Sequence, residues 1–285
     1  MNCYAADNTP ARVARAAGHE TWGESGERIH VAGFAKKVQR LNKLCICDRC
    51  HETAPVARIT ENGFAGVGCV LCNGPLRRIR FFPNSNSDWL DLKWPVETFA
   101  QFLDLIRLTP NVDWQCLTKR PDNWRKRMRD AVLHADQNGS PLVAKFADAW
   151  TDGKAPPNVW FGVSVEDQAR ADQRIPALLF IPAAVRWLSC EPLLEMVHLG
   201  QVPEQAGDVF VDWLVVGCES GPDRRFQAGY YTAAKSLLAQ CAMLDLPAYH
   251  KQMPLGPAHR VSHDPAEWPA PFQVRQFPGQ PSEKP

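Results

Sequence analysis

The feature that most restricts the fold of this 285-residue chain is a series of short apolar runs that alternate with amphipathic stretches. The runs at 79–83, 113–117, 158–165, 185–190, 212–217 and 246–250 have strand length and are rich in Val, Ile, Leu, Phe and Trp. Such runs, separated by helical patterns, predict strands of a parallel sheet or barrel. Between them, Val96, Phe99, Leu103 and Ile106 recur at helical spacing within 95–108, and Pro95 suits the first turn. Trp124, Met128 and Val132 stand at i, i+4 and i+8 within 122–134, which predicts a surface helix with one buried stripe. A third helix is predicted over 230–244. From Pro254 onward the chain is proline-rich and reads as an extended tail packed on the outside.

The polar residues at the end of each run carry the main functional signal. The ends read Asn84-Ser85-Asn86-Ser87-Asp88, Thr118-Lys119-Arg120-Pro121, Ser164-Val165-Glu166, Ser189-Cys190-Glu191-Pro192, Gly217-Cys218-Glu219 and Lys251-Gln252. In a (β/α) barrel the loops at the C-terminal ends of the strands carry the chemistry, so polar ends in series predict a lined mouth. Helix capping explains Asp88 or Ser164 taken singly. It explains less well three glutamates, Glu166, Glu191 and Glu219, each at or just beyond a strand end. The tryptophans Trp160, Trp187 and Trp213 are expected under the surrounding helices, since strand tryptophans commonly pack there, with an apolar lining of the mouth as the alternative.

Ten cysteines need a second explanation. Cys47-Asp48-Arg49-Cys50 and Cys69-Val70-Leu71-Cys72 are two C-x-x-C pairs, and each pair aims two sulfurs at one point. Together Cys47, Cys50, Cys69 and Cys72 supply the four thiolates of a tetrahedral zinc site. A set filled by protein sulfur leaves no position for water or substrate, so the expected zinc is structural. Cys45 is a spare or alternative ligand.

Composition bounds the rest. Hydrophobic residues make up 45% and charged residues 22%, as in a folded globular domain. A net charge of +1 gives no global field toward nucleic acid or membrane, although Arg77-Arg78-Ile79-Arg80 and Arg125-Lys126-Arg127 are locally basic. No apolar run approaches the roughly 18 residues of a membrane helix, and no secretion signal opens the chain. A soluble, cytoplasmic protein without membrane partners is expected.

The strings Leu117-Thr118-Lys119-Arg120-Pro121, Val159-Trp160-Phe161-Gly162-Val163-Ser164-Val165-Glu166, Arg186-Trp187-Leu188-Ser189-Cys190-Glu191-Pro192, Asp212-Trp213-Leu214-Val215-Val216-Gly217-Cys218-Glu219 and Lys251-Gln252 resemble those of a widespread phage-associated family of uncharacterised proteins. Members of that family look like radical-SAM enzymes. They carry three cysteines near the N-terminus, the last two as C-x-x-C followed by Tyr-Ala. This chain opens Met1-Asn2-Cys3-Tyr4-Ala5, which matches only the end of that motif.

The resemblance implies a partial (β/α) barrel of the radical-SAM type, N-terminally truncated, with a zinc-knuckle insertion. The expected divisions are a remnant of the cysteine loop and first helix at 1–40, the knuckle at 41–76, the partial barrel at 77–253 and the tail at 254–285. A missing first strand would leave the edge near 79–83 bare. With the full motif present, a [4Fe–4S] cluster and S-adenosylmethionine would yield a 5′-deoxyadenosyl radical acting on a substrate the sequence does not name, a nucleic acid or protein among the candidates. Cys3, Asn84, Ser85, Ser87 and Asp88 would then serve the cofactor, while Glu166, Glu191, Glu219, Lys119 and Lys251 would face substrate. The competing expectation is a non-catalytic, zinc-containing nucleic-acid-binding or phage-associated accessory protein, with the arginines of 77–80 as its basic platform.

Overall fold

A computed structural model describes residues 33–56, 68–83, 87–201, 211–220, 228–255 and 260–279. Helix α1 (Phe34–Leu41) leads into a hairpin of β1 (Leu44–Cys47) and β2 (Thr53–Pro55). Next come β3 (Leu76–Phe81), α2 (Val96–Leu108), β4 (Val112–Thr118), α3 (Trp124–Gln137), α4 (Pro141–Thr151), β5 (Val159–Ser164), α5 (Gln168–Leu179) and β6 (Val185–Cys190). β7 (Trp213–Gly217), α6 (Tyr230–Met243), β8 (Ala248–Leu255) and β9 (Arg260–Ser262) complete the order.

The nine strands among the described residues form one sheet in the order β2-β1-β3-β4-β5-β6-β7-β8-β9. Strands β3 to β8 are parallel neighbours in chain order, whereas β1, β2 and β9 are antiparallel additions at the two margins. The six predicted strands are all present. The sheet is open, so the expected radical-SAM barrel reduces to a mixed α/β fold. On the side away from β4, β1 covers the first half of β3 through Cys45↔Arg78, Ile46↔Arg77 and Cys47↔Leu76, while Ile79–Phe81 of the edge expected near 79–83 pair with β4.

Of the helices not predicted, α4 buries Val143, Ala144, Ala147 and Trp150. Its alanines dilute the hydrophobic periodicity on which the prediction rests. Helix α5 contains Pro176 and is capped by Asp167, whose carboxylate accepts from the Arg170 N–H at 2.8 Å.

The two faces of the sheet bury different residues. On β4, Val112, Trp114, Cys116 and Thr118 enter the helix-covered core, while Asp113, Gln115 and Leu117 turn to the opposite face. The core continues through Phe161, Val163, Leu188, Leu214 and Val216. At its base, the buried Asn158 amide donates to the carbonyls of Thr109 and Val112 at 3.1 and 3.2 Å, which fixes the α2–β4 turn against β5.

The opposite face holds a separate cluster of Trp160, Trp187, Trp213 and Val215, joined by Leu117, Tyr249 and Phe277. The tryptophans therefore do not lie beneath the helices, contrary to expectation. They pack on one another, with Trp213 at 5.7 Å from Trp160 and 5.5 Å from Trp187 between ring centroids. Gly162 permits this arrangement, because a Cβ there would sit 2.3 Å from Cε2 of Trp187. The indole lies across β5 and donates from Nε1 to the Trp160 carbonyl at 3.1 Å.

Contacts across this face show that the sheet curls. In a flat sheet β3 and β6 would be about 14 Å apart at the usual spacing. Yet Phe82, just after β3, meets Trp187 of β6 at 6.4 Å between centroids. The Arg80 guanidinium of β3 lies 3.7 Å from the Phe277 ring centre, which in turn stacks on Trp213 of β7.

Phe277 belongs to the proline-rich segment, which is more than an outer tail. Its Val274 carbonyl accepts from the His250 N–H, and its Gln276 N–H donates to the Ala248 carbonyl, both at 2.8 Å. Trp268 and Phe272 are buried in the core. His250 is fully buried at this join. The Phe272 carbonyl can only accept, so Nδ1 carries the proton at 2.9 Å and Nε2 accepts from the Tyr230 hydroxyl at 2.7 Å.

Burial pushes the His250 imidazole down from its ordinary value of 6.5 to about 4. The unfolded chain therefore takes up this proton first on acidification, so stability present above pH about 6.5 is lost as pH falls toward 4. The loss attributable to this group should be roughly 3 kcal/mol. Urea unfolding across that range should show a shallower pH slope in His250→Gln than in the parent, and equal slopes would remove His250 as the cause.

Candidate functional site

Two sites emerge, one at the sheet margin and one at the strand ends. At the margin, Cys47, Cys50, Cys69 and Cys72 bring their sulfurs within 4.8 Å of one another. The two C-x-x-C segments fold alike. In the first, the Cys47 N–H donates to the Glu52 carbonyl and the His51 N–H to the Cys47 carbonyl, both at 3.0 Å. In the second, the Cys69 N–H donates to the Gly74 carbonyl at 2.9 Å and the Asn73 N–H to the Cys69 carbonyl at 2.7 Å. His51 and Asn73, each just after the second cysteine of its pair, take left-handed backbone at φ 59° and 54°.

The sulfur spacing fits a tetrahedral metal. Cys47 Sγ and Cys72 Sγ are 3.5 Å apart, and Cys50 Sγ and Cys69 Sγ are 3.6 Å apart. A disulfide would bring sulfurs to about 2.05 Å. A tetrahedron of metal–sulfur bonds of about 2.3 Å separates them by about 3.8 Å. Gly74 adds room, since a Cβ there would stand 2.9 Å from Cys47 Sγ and 3.2 Å from Cys72 Sγ. The Arg49 N–H donates to Cys47 Sγ at 3.4 Å. Backbone N–H donors, that of Cys50 first, hold the Cys47 thiol down at about 6, favouring a thiolate. These four residues could hold a metal such as zinc. Cys45 does not join them: its buried thiol donates to the Ala54 carbonyl at 3.3 Å across the β1–β2 hairpin.

At the other site, charged groups gather where the parallel strands end. The backbone ladder continues past the strands, with the Val165 N–H on the Ser189 carbonyl, Leu193 on Gly217 and Leu194 on Glu166. Asp88 ties its loop to the end of β4. Its Oδ1 accepts from the Thr118 hydroxyl at 2.7 Å and the Leu90 N–H at 3.0 Å, and its Oδ2 from the Lys119 N–H at 3.0 Å and Arg120 at 2.8 Å. Four donors from the chain occupy this carboxylate, so its evident work is to join the two strand ends.

Glu166 lies between two cations, the Lys119 ammonium on one oxygen and Arg174 of α5 at 2.8 Å on the other. Burial raises its carboxyl, but these charges outweigh burial and hold it below the usual carboxylate range. Glu191, after β6, accepts from Lys251 at 3.0 Å and from the Gln252 amide at 3.0 Å. Glu219 is buried beyond β7.

The predicted mouth residues Lys119 and Glu166 are thus brought together, as are Glu191 and Lys251. Ser87 is half-buried beside Asp88. Cys3, Asn84 and Ser85 lie outside the described residues. Thr118, Gly217 and Gln252 stand in the strand-end strings without an assigned role, and Arg174 was not singled out from the sequence. Arg174 comes from a helix that was not predicted, and the placement of Gln252 depends on a strand irregularity with no local signature. The expected arginine platform is neutralised: Arg77 pairs with Asp48, Arg78 with Asp113 at 3.5 Å, and Arg80 packs over rings. In the second basic stretch, Arg127 is buried and donates to the Trp94 carbonyl at 2.9 Å.

Fold and sites together define an open-sheet α/β protein with a four-cysteine knuckle on one margin and a charged cluster at its strand ends. Among the described residues no helix is long and apolar enough to cross a membrane. The chain belongs to the family described as protein of unknown function DUF5131, whose model matches residues 1–266. No curated protein and no solved structure matches the chain significantly.

Cys47 is both a sulfur donor of the knuckle and a residue of β1, so metal retention and the β1–β3 pairing should be coupled. Removing the metal with a strong chelator, or substituting Cys69→Ser with Cys72→Ser, should speed amide exchange in 44–47 and 76–81 by at least tenfold. Exchange in β5 to β7 should change little. Uniform loosening of the whole sheet would contradict a local staple.

Proposed function

We propose that this protein is a radical-SAM-like enzyme that handles its substrate at the C-terminal ends of β4 to β8, with a structural zinc in the knuckle. The observation that carries the reading is the run of charged assemblies on successive parallel strands, Asp88 with Thr118 and Arg120, Glu166 with Lys119 and Arg174, and Glu191 with Lys251 and Gln252. A purely structural sheet needs no such series. Strand ends of parallel sheets are where ligands bind, because the loops and helix starts there are free to diverge.

A [4Fe–4S] cluster with S-adenosylmethionine, when bound, would supply reductive cleavage of the sulfonium and hydrogen abstraction from substrate. Cys3 alone does not fit a cluster that takes three thiolates, and the knuckle is the one metal-competent group among the described residues, so the reading requires two further cysteines ahead of Cys3. Ser87 would line the cofactor side, with Asp88 holding that wall to β4. Glu166 stays ionised between Lys119 and Arg174 and presents a fixed anion, while the concave tryptophans close the base of the mouth against water. Zinc suits the knuckle because four sulfurs at tetrahedral spacing form a closed, redox-inert site. Nine free thiols among the described residues support a reducing compartment such as the cytoplasm. The resemblance adds a phage context and a nucleic acid or protein as substrate.

The test is anaerobic reconstitution with iron and sulfide of a chain extended to supply two further cysteines ahead of Cys3. It should gain iron–sulfur absorbance and release 5′-deoxyadenosine from S-adenosylmethionine under strong reductant. Cys3→Ala should abolish both, and Glu166→Gln should spare the absorbance while lowering product formation at least tenfold. A folded protein with a filled knuckle that takes up no iron would overturn the radical reading.

A further inference from the structure

We propose that the four-cysteine knuckle is a peroxide-sensitive switch: oxidation joins Cys47 to Cys72 and Cys50 to Cys69, and zinc is released while the sheet margin stays tied. The proposal rests on reading the knuckle as a structural zinc site and adds a second, metal-free state to it.

The pairing follows from which sulfurs touch. Cys47 Sγ meets Cys72 Sγ at 3.5 Å and Cys50 Sγ meets Cys69 Sγ at 3.6 Å, so each contact joins one C-x-x-C segment to the other. Closing either pair to a disulfide takes about 1.5 Å of sulfur movement. The backbone is thin where one pair must close: a Cβ on Gly74 would lie 2.9 Å from Cys47 Sγ and 3.2 Å from Cys72 Sγ. Each pair also unites a half-buried thiol, Cys72 or Cys50, with a buried one, Cys47 or Cys69. An oxidant therefore reaches one sulfur of each pair first and finds the second in contact behind it.

Access distinguishes this margin from the other described thiols. Val70 and Leu71, between Cys69 and Cys72, are 90% and 71% exposed, so the second segment stands out in solvent. Cys45, Cys116, Cys190, Cys218 and Cys241 are all buried. Burial pushes the Cys116 and Cys190 thiols up, and that of Cys241 to about 12. Oxidation follows thiolate character and exposure, which singles out the knuckle among these groups.

In each pair the half-buried thiolate attacks one oxygen of hydrogen peroxide, breaks the O–O bond and expels hydroxide, leaving a sulfenic acid. The buried partner thiolate attacks that sulfur and expels a second hydroxide as the S–S bond forms. Each pair thus gives two electrons to one peroxide, and two solvent protons turn the hydroxides into water. With both pairs closed, Zn2+ has no thiolate ligand left, and cross-links replace it as the tie between the segments. Disulfides within each C-x-x-C would instead leave the segments unjoined, with Cys47 of β1 cut off from the second one.

The test treats the zinc-loaded full chain with hydrogen peroxide and follows zinc with a chromophoric chelator, disulfides by peptide mapping and amide exchange by mass spectrometry. Tryptic cleavage after Arg49 separates Cys47 from Cys50, so both should be found linked to the peptide that holds Cys69 and Cys72. Cys45→Ala, which leaves Cys47 as the only cysteine of its peptide, should give the same map. Zinc release should parallel disulfide formation, and a dithiol reductant with added zinc should restore the starting state. Exchange in 44–47 and 76–81 should stay within twofold of the zinc-bound protein, against at least tenfold faster exchange in reduced protein stripped by a chelator. Disulfides within the C-x-x-C pairs, zinc left in place by peroxide, or exchange as fast as in the stripped protein would overturn the proposal. Reduced protein that takes up no zinc would instead overturn the structural-zinc reading, and the disulfide map alone would then decide the pairing.

Discussion

The curl of the parallel sheet depends on how aromatic rings pack across its concave face. Trp187 lies flat over Gly162, Trp213 meets both Trp160 and Trp187, and Phe277 stacks on Trp213 beneath the Arg80 guanidinium. Each ring buries a large apolar area, and the edge-to-face and stacked geometries favour one arrangement over a fluid one. Because the ring cluster and Arg80 span β3 to β8, they draw the margins of the sheet toward each other.

The two margins are finished differently. On the β3 side, β1 supplies antiparallel pairing, and its Cys47 also belongs to the four-sulfur knuckle, so the sulfur cluster and the sheet margin meet in one residue. On the β8 side, β9 and the segment around Val274 and Gln276 cover the edge, with Trp268 and Phe272 entering the core beside His250. Both margins thereby end in three-residue antiparallel strands, which offer only a short edge to another chain. The central strands β5 and β7 are buried along their whole length, which is why they read as near-continuous apolar runs, whereas β3 and β4 keep half-buried charged and polar residues.

At the strand ends the same side chains join loops to strands and gather charge. Asp88 accepts four hydrogen bonds that join its loop to β4, and Glu166 locks β5 to α5 through Arg174. These contacts preorganise charge in a partly dehydrated setting, where electrostatic interactions are stronger than in water. Glu191 differs in that its neighbour Gln252 keeps an unmet acceptor.

By itself the sequence determined the six parallel strands, three of the helices, the four knuckle cysteines and the pairing of charged residues with strand ends. These arise from local rules: strand-length apolar runs, helical spacing and the turn that C-x-x-C enforces. Tertiary structure decided the rest. It set the tryptophans on the concave face, excluded Cys45 from the knuckle through Ala54, neutralised Arg77 and Arg78 with Asp48 and Asp113, and brought Arg174 to Glu166. It also placed Gln252 beside Glu191 through a one-residue bulge. Which face a strand residue takes, and which distant partner meets its charge, depends on register with neighbouring strands and on the curl of the whole sheet, and neither is encoded in local spacing.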